Sequence, residues 1–256
     1  VNMDSSFKLF AKNMRCFHNK VKSRLISKGV DMTDGKTLLD IGCGRGGDLY
    51  KWEKCALEYV YAYDPNPAYI EEATHRLNSS NLNCNYEFST KMFKGGENCF
   101  DIVSCQFAVH YLFESDDTLN EHLEYVACML KPGGVYIGTC VDGDSVIERV
   151  SPLHYNYFSN KAVCIRVPYM DKIRQETGVP LNVHLAGTLY FGEKSISHEF
   201  VVKKDVLTRR CEAVGLQLVS YTPFKEYNAE MNFKMGSDFS DCSYMYTSFM
   251  FEKKST

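Results

Sequence analysis

The segment that most constrains this chain is Thr37-Leu38-Leu39-Asp40-Ile41-Gly42-Cys43-Gly44-Arg45-Gly46-Gly47-Asp48. It opens as a short apolar run, the pattern of a strand buried on both faces. It closes in a glycine-rich turn. Gly42, Gly44 and Gly47 fit the spacing G-x-G-x-x-G. Glycine there lets the backbone turn tightly and come close to a ligand. Such a turn needs a strand before it and a helix after it, so the rest of the chain must supply a layered α/β frame.

The remaining pattern supplies that frame. Phe7, Phe10, Met14, Phe17, Val21 and Leu25 fall at helical spacing over Phe7 to Ile26, with many basic residues on the other face. After the glycine turn a helix is expected from about Gly47 to Glu53. A strand follows from Leu57 to Tyr63, ended by Asp64-Pro65-Asn66-Pro67, and then a helix from Ala68 to Leu77. Cys84 to Phe88 and Phe100 to Gln106 read as the third and fourth strands. Asp116 to Leu130 reads as a helix closed by Lys131-Pro132-Gly133-Gly134, and Val135 to Val141 as the fifth strand. Val201 to Val214 is an expected helix, Leu216 to Tyr221 a strand, and Ser243 to Phe251 the last strand. Between Ser151 and Glu199 the pattern is irregular and strand-like, an insertion. Alternation of this kind predicts a mainly parallel seven-stranded sheet with helices on both faces and an antiparallel C-terminal strand. One domain is expected over 1–256. It divides into an N-terminal helical segment (1–35), a cofactor-binding core (36–150), the insertion (151–200) and the C-terminal part of the sheet (201–256).

Composition narrows the class. The chain has 256 residues, 45% hydrophobic and 24% charged, enough for one large α/β domain. A net charge of −3 creates no general attraction to nucleic acid and leaves only a local basic groove open. No apolar run reaches the roughly 18 residues of a membrane span, and the first residues are too polar for a signal peptide. Eleven cysteines, an odd number without a C-x-x-C pair, indicate a reduced, intracellular protein that uses cysteine as a small hydrophobe. No metal site is expected. The chain begins with Val and reads as a piece of a longer polypeptide.

Two carboxylates give the glycine turn its chemistry. Asp40 sits two residues before Gly42, at the strand end. An acid there would repel a pyrophosphate, but it suits the ammonium and sulfonium of S-adenosylmethionine. Asp64 ends the second strand, where it can accept both ribose hydroxyls of an adenosyl group. A bare turn at Gly42–Asp48, and a turn Asp before Pro65, are the plainer alternatives.

Four segments resemble the mRNA cap guanine-N7 methyltransferases. They are Leu39 to Trp52, Phe100 to Glu114, Phe17-His18-Asn19-Lys20-Val21-Lys22-Ser23, and Tyr244-Met245-Tyr246-Thr247-Ser248-Phe249. The likeness runs in order along nearly the whole chain, and the second segment is the most specific. The resemblance implies a class I (Rossmann-like) methyltransferase fold. It also implies transfer of a methyl group from S-adenosyl-L-methionine to N7 of the 5' guanosine cap, leaving S-adenosyl-L-homocysteine. Lys22, Asp40, Gly42, Gly44, Asp64, Gln106 and Tyr111 would line the cofactor site. His18, Asn19, Arg45, Lys51, Arg76, His110, Glu199 and Tyr246 would line the cap site. Arg45, Lys51 and Arg76 supply cations for a triphosphate bridge. Glu199 can accept from the N1–H and exocyclic amine of guanine. Tyr111 and Tyr246 can pack on planar rings. No acid or base catalyst is required, so Tyr111, Glu199 and His110 would act by positioning.

Two segments depart from the family. Ser89-Thr90-Lys91-Met92 stands where an acidic residue often faces the adenine. Thr139-Cys140-Val141-Asp142-Gly143-Asp144 lacks the proline of cellular members and looks more like the enzymes of large DNA viruses, of the poxvirus and African swine fever virus kind. That likeness implies a viral protein of the host cytoplasm and virion. It would form the C-terminal part of a capping enzyme with triphosphatase and guanylyltransferase domains ahead of it. The sequence is silent on a stimulatory subunit. Competing readings are a methyltransferase for a small molecule or another nucleobase, a nicotinamide-linked oxidoreductase, and a non-catalytic RNA platform.

Overall fold

The computed structural model describes residues 5–80, 82, 85–150, 156–186 and 196–254. Helix α1 (Ser5–Thr33) comes first, followed by strand β1 (Thr37–Ile41), helix α2 (Leu49–Lys54), β2 (Tyr59–Tyr63), α3 (Pro67–Asn78) and β3 (Asn85–Ser89). Then come β4 (Phe100–Gln106), α4 (Val109–Leu112), α5 (Asp116–Met129), β5 (Leu130–Val141) and α6 (Gly143–Arg149). The insertion holds β6 (Tyr157–Ser159), β7 (Val163–Arg166), a 3-10 turn (Met170–Arg174), β8 (Pro180–Leu185) and β9 (Ser197–Phe200). The chain closes with α7 (Lys204–Ala213), β10 (Leu216–Pro223), α8 (Phe224–Met231), α9 (Ser237–Ser243) and β11 (Tyr246–Lys253).

Seven strands form the expected sheet, in the order β10-β11-β5-β4-β1-β2-β3. β1 runs parallel to β2 and β4, β4 parallel to β5, and β11 antiparallel to both its neighbours. After β3 the chain returns to the far side of β1. The carboxyl ends of β1 and β4 therefore flank the switch point, where open α/β sheets bind ligands. Alternate β1 residues serve opposite faces. Leu39 packs with Phe113, Leu123 and Phe249 on one side, and Leu38 with Leu25, Ile26 and Trp52 of α1 and α2 on the other. The inner stripe of α1 continues through Ala11, Met14, Phe17 and Val21 into a third cluster with the insertion, α8 and α9.

Several expectations need correction. The irregular segment forms a second antiparallel sheet, β6-β7-β8-β9. Its alternation is clear only with partners in view, as in the half-buried pattern of Pro180–Leu185. α1 extends beyond Ile26 to Thr33, because Gly29 packs against Ile102 and Val135 rather than ending the helix. Val201 and Val202 are buried but precede α7, where they join Val179 and Gly143 through backbone bonds. The last strand begins at Tyr246, Ser243 belonging to α9. Lys131–Gly134 lies within β5 as an irregularity opposite Asp101: Phe100 pairs Leu130, and Ile102 pairs Val135. α6, α8 and α9 have no counterpart in the expected pattern. Cys84, the expected start of the third strand, lies outside the described residues.

Candidate functional site

The glycine turn leaves β1 at the switch point. The N–H groups of Gly42 and Cys43 donate to the carbonyl of Tyr63, which ties the turn to the end of β2. Gly44 has φ +54, and a Cβ built on it meets nothing within 4 Å. The turn thus presents bare backbone to open space. The third close approach falls on Gly46 rather than the expected Gly47: Gly46 has φ +69, and its Cβ would stand 3.0 Å from that of Ala73. Asp64 binds the turn directly. Its Oδ2 accepts from Gly44 N–H at 2.9 Å and its Oδ1 from Asn66 N–H at 2.9 Å. The second bond is the turn role expected of an Asp before proline, and each oxygen keeps a lone pair for a ligand hydroxyl.

A chain of polar groups crosses the carboxyl ends of β1, β4 and β5. Ser104 hydrogen-bonds Asp40. The Gln106 amide donates to Ser104 Oγ at 3.3 Å, Thr139 Oγ1 donates to Gln106 Oε1 at 3.1 Å, and Phe107 N–H donates to Thr139 Oγ1 at 3.1 Å. Asp40 is 2% exposed, and burial together with the nearby Asp48 raises its pKa to about 7. Asp48 draws in two cations: Lys22 from α1 at 2.7 Å and Lys51 from α2 at 2.7 Å. Burial alone would raise the Asp48 carboxyl, but the two ammoniums outweigh it and hold it low. Lys22 and Lys51 are expected in different sites, and the structure brings them onto one carboxylate.

The other two expected cap-site cations meet on α3. Arg45 pairs with Glu72 at 2.9 Å and lies over the Tyr69 ring at 4.9 Å. Arg76 binds the same Glu72, one turn back on the helix. Lys51 stands apart from this pair. Its ammonium also donates to the Gly47 carbonyl at 2.9 Å, closing the first turn of α2.

On the far side of the switch point lies a cage of rings. His18 stacks on Phe107 with centroids 5.6 Å apart, and Tyr246 meets both at 5.3 Å. Phe224 closes the back. His18 bonds Ser243 Oγ at 2.9 Å, and burial, then Lys22, pulls its pKa to about 3, so the ring is neutral. Phe107 holds φ +55, a strained left-handed conformation for a bulky residue, just after β4. Asn19, one residue on from His18, is exposed.

His110 on α4 and Glu199 on β9 face each other at 3.6 Å, 3% and 7% exposed. Glu199 Oε2 and both His110 ring nitrogens are buried with no hydrogen-bond partner among the described residues. Burial lowers the His110 pKa despite the opposing pull of Glu199. Groups left bare in this way cost free energy unless something else satisfies them. Tyr111 lies over His110 at 4.4 Å, half exposed, its hydroxyl 3.2 Å from Ser197 Oγ. Its phenol feels the charges of Glu199 and Asp64 alike, and that of Tyr246 feels Glu199 and Tyr111. Tyr111 therefore stands where the two halves meet.

Sequence reasoning missed several participants. Asp48 stands in plain view in the motif, and Glu72 is readable as the i−4 partner of Arg76. Phe107, Tyr69 and Ser197 give no local signal. Among the described residues, no group of three or more His, Cys, Asp or Glu is placed to hold a metal ion. No helix among them is long and apolar enough to cross a membrane.

Solved structures of similar fold include the CcbJ methyltransferase of Streptomyces caelestis (TM-score 0.62, 13% identity, 91% of this chain and 95% of that one). Another is an S-adenosylmethionine-dependent methyltransferase of Clostridium acetobutylicum (TM-score 0.56, 13% identity, 99% and 94%). At such identities the likeness concerns fold alone, and the fold is that of class I methyltransferases. Among curated proteins, the mRNA cap guanine-N(7) methyltransferase of Drosophila melanogaster is 29% identical over 244 residues, 85% of this chain and 56% of that protein. The protein of the same name from Caenorhabditis briggsae is 31% identical over 185 residues, 66% and 49%. The chain thus spans about half the length of these curated relatives. They are cellular proteins and do not bear on the likeness to large DNA viruses. The domain described as mRNA (guanine-N(7))-methyltransferase matches residues 6–242. The chain belongs to the mRNA (guanine-N(7))-methyltransferase domain family.

Proposed function

We propose that this chain transfers a methyl group from S-adenosylmethionine to N7 of the guanosine cap at the 5' end of mRNA. The observation that carries the reading is the pair His110 and Glu199, buried with bare polar atoms beside an aromatic cage. Guanine matches that pair. Its N1–H and exocyclic amine donate toward Glu199, and its plane suits the rings of Tyr111 and Tyr246. Adenine has no N1–H to offer. Arg45 and Arg76, joined through Glu72, give the triphosphate a cationic wall.

The residues around the glycine turn fit the adenosyl cofactor. The open backbone at Gly44 admits a close ligand, Asp64 keeps lone pairs for ribose hydroxyls, and Asp40, the carboxyl here without a lysine bound to it, offers a partner for a cationic amino acid moiety. Bound S-adenosylmethionine supplies an electrophilic methyl carbon. The chain's own task is alignment: Tyr111 stands between the two ligands and holds their reacting atoms in line. N7 carries a free lone pair at neutral pH, so no residue has to remove a proton. Orientation and exclusion of water can contribute roughly 7–11 kcal/mol to such a step.

Titration with the unmethylated cap dinucleotides GpppA and ApppA tests this reading. GpppA is expected to bind more tightly. In Glu199→Gln that preference falls by about 10- to 150-fold, the worth of a charged hydrogen bond of roughly 1.5–3 kcal/mol. S-adenosylhomocysteine affinity stays within a factor of a few. Equal binding of the two dinucleotides by the unaltered chain contradicts the assignment.

A further inference from the structure

One helix carries a charge imbalance that the site leaves unused. α1 holds seven Lys and Arg residues against a single acid, Asp31, in a chain whose net charge is −3. Part of this charge forms a row. Lys8, Lys12, Arg15, Asn19 and Lys22 follow one another at i, i+4, i+7, i+11 and i+14, the spacing of a single helical flank. The row is anchored at the site, since Lys22 binds Asp48 under the glycine turn, and His18 beside the row enters the aromatic cage. From there it runs about 21 Å to Lys8 at a rise of roughly 1.5 Å per residue. Lys8 and Lys12 are exposed and have no carboxylate within ion-pair reach among the described residues. By contrast, Arg24 on another face is neutralised by Glu230.

We infer that this flank of α1 binds the phosphate backbone of the RNA that follows the cap. The inference rests on the reading of the site as a cap site. A cap held there is the end of a polyanion, which must leave across a neighbouring surface. The row begins at the site with Lys22 already paired, and Lys8 and Lys12 give its far part exposed positive charge. Backbone binding of this kind raises affinity without reading sequence.

The test is fluorescence anisotropy with a GpppG-capped RNA of twelve nucleotides, titrated over a range of salt, beside competition by the GpppG dinucleotide. Lys8→Ala/Lys12→Ala is expected to weaken RNA binding several-fold. It should reduce the log–log salt slope by about 1.4, or roughly 0.7 for each single-strand phosphate that is no longer neutralised. The dinucleotide affinity stays unchanged. Lys28→Ala, on the opposite side of the helix, serves as the control for bulk charge. Three results overturn the proposal: unchanged RNA affinity and slope in the double variant, an equal effect from Lys28→Ala, or an equal loss for the dinucleotide. The first of these would leave the row to an acidic protein partner. A triphosphate-ended RNA of the same length separates this inference from the cap reading. If the double variant weakens both RNAs alike while neither is methylated, the α1 surface stands and the cap assignment falls.

Discussion

Gly44 shows how much a single residue can decide. Its φ of +54 asks for glycine on backbone grounds, yet a methyl group placed there would strike nothing in the protein. Gly44→Ala should therefore cost only about 1–2 kcal/mol of stability, the penalty of a left-handed L-residue. The methyl would point into the space assigned to the cofactor. Calorimetry should find S-adenosylhomocysteine binding abolished or weakened by well over tenfold while the chain still unfolds cooperatively. Unimpaired binding would mean that the ligand does not approach this turn. The residue is legible in the sequence, because glycine spacing reports backbone geometry. Phe107 is not: a phenylalanine at φ +55 is held there by Thr139 and by packing against His18 and Tyr246, all distant in sequence. The choice of Gly46 over Gly47 is also invisible, since it depends on Ala73 of α3.

At the scale of elements, the joint between α1, α2 and β1 rests on Asp48. Its carboxylate holds Lys22 and Lys51 at 2.7 Å each, with all three side chains less than 15% exposed. Asp48→Asn keeps the shape but leaves two ammoniums side by side, largely out of water. Breaking such a pair from one side costs about 3–5 kcal/mol. Urea unfolding is expected to show a loss of that size, and a loss below about 1 kcal/mol, the worth of an exposed pair, would contradict it. The strands and helices of the main sheet are readable because their apolar periods are local. The β6–β9 sheet is not, because short strands such as Tyr157–Ser159 leave most of their residues exposed and become strands only through pairing. Glu199 came from the resemblance to a family rather than from local pattern. The structure explains its place: β9 carries it against α4, opposite His110.

For the whole molecule, buried histidines set the response to acid. Burial pulls the pKa of His18 from 6.5 to about 3 and that of His122 to about 4, and it lowers His110 as well. Below pH 6.5 the unfolded chain protonates all three while the folded chain resists. The stability present above pH 6.5 is therefore lost as pH falls toward 4. Asp40 acts in the opposite sense, since its carboxyl, raised from 3.8 to about 7, keeps a proton that the unfolded chain has released. Three histidines against Asp40 and Asp144, the latter's carboxyl also raised by burial, leave a net uptake of up to about two protons on unfolding near pH 5, or up to about 2.7 kcal/mol lost per pH unit. Urea midpoints between pH 7 and 5 check this. A midpoint that rises on acidification contradicts it.

In the proposed reaction two ligands share the switch point, with the guanine held by Glu199 and His110 and the methyl donor by the glycine turn and Asp64. Incubation of the chain with S-adenosylmethionine and a GpppA-capped RNA, followed by nuclease digestion and mass analysis of the cap, tests it most directly. The predicted product carries a single added methyl on guanine N7, absent from ApppA-capped RNA and abolished or nearly so in Glu199→Ala. A methyl group on another atom, equal modification of the ApppA-capped RNA, or full activity in Glu199→Ala would contradict this arrangement.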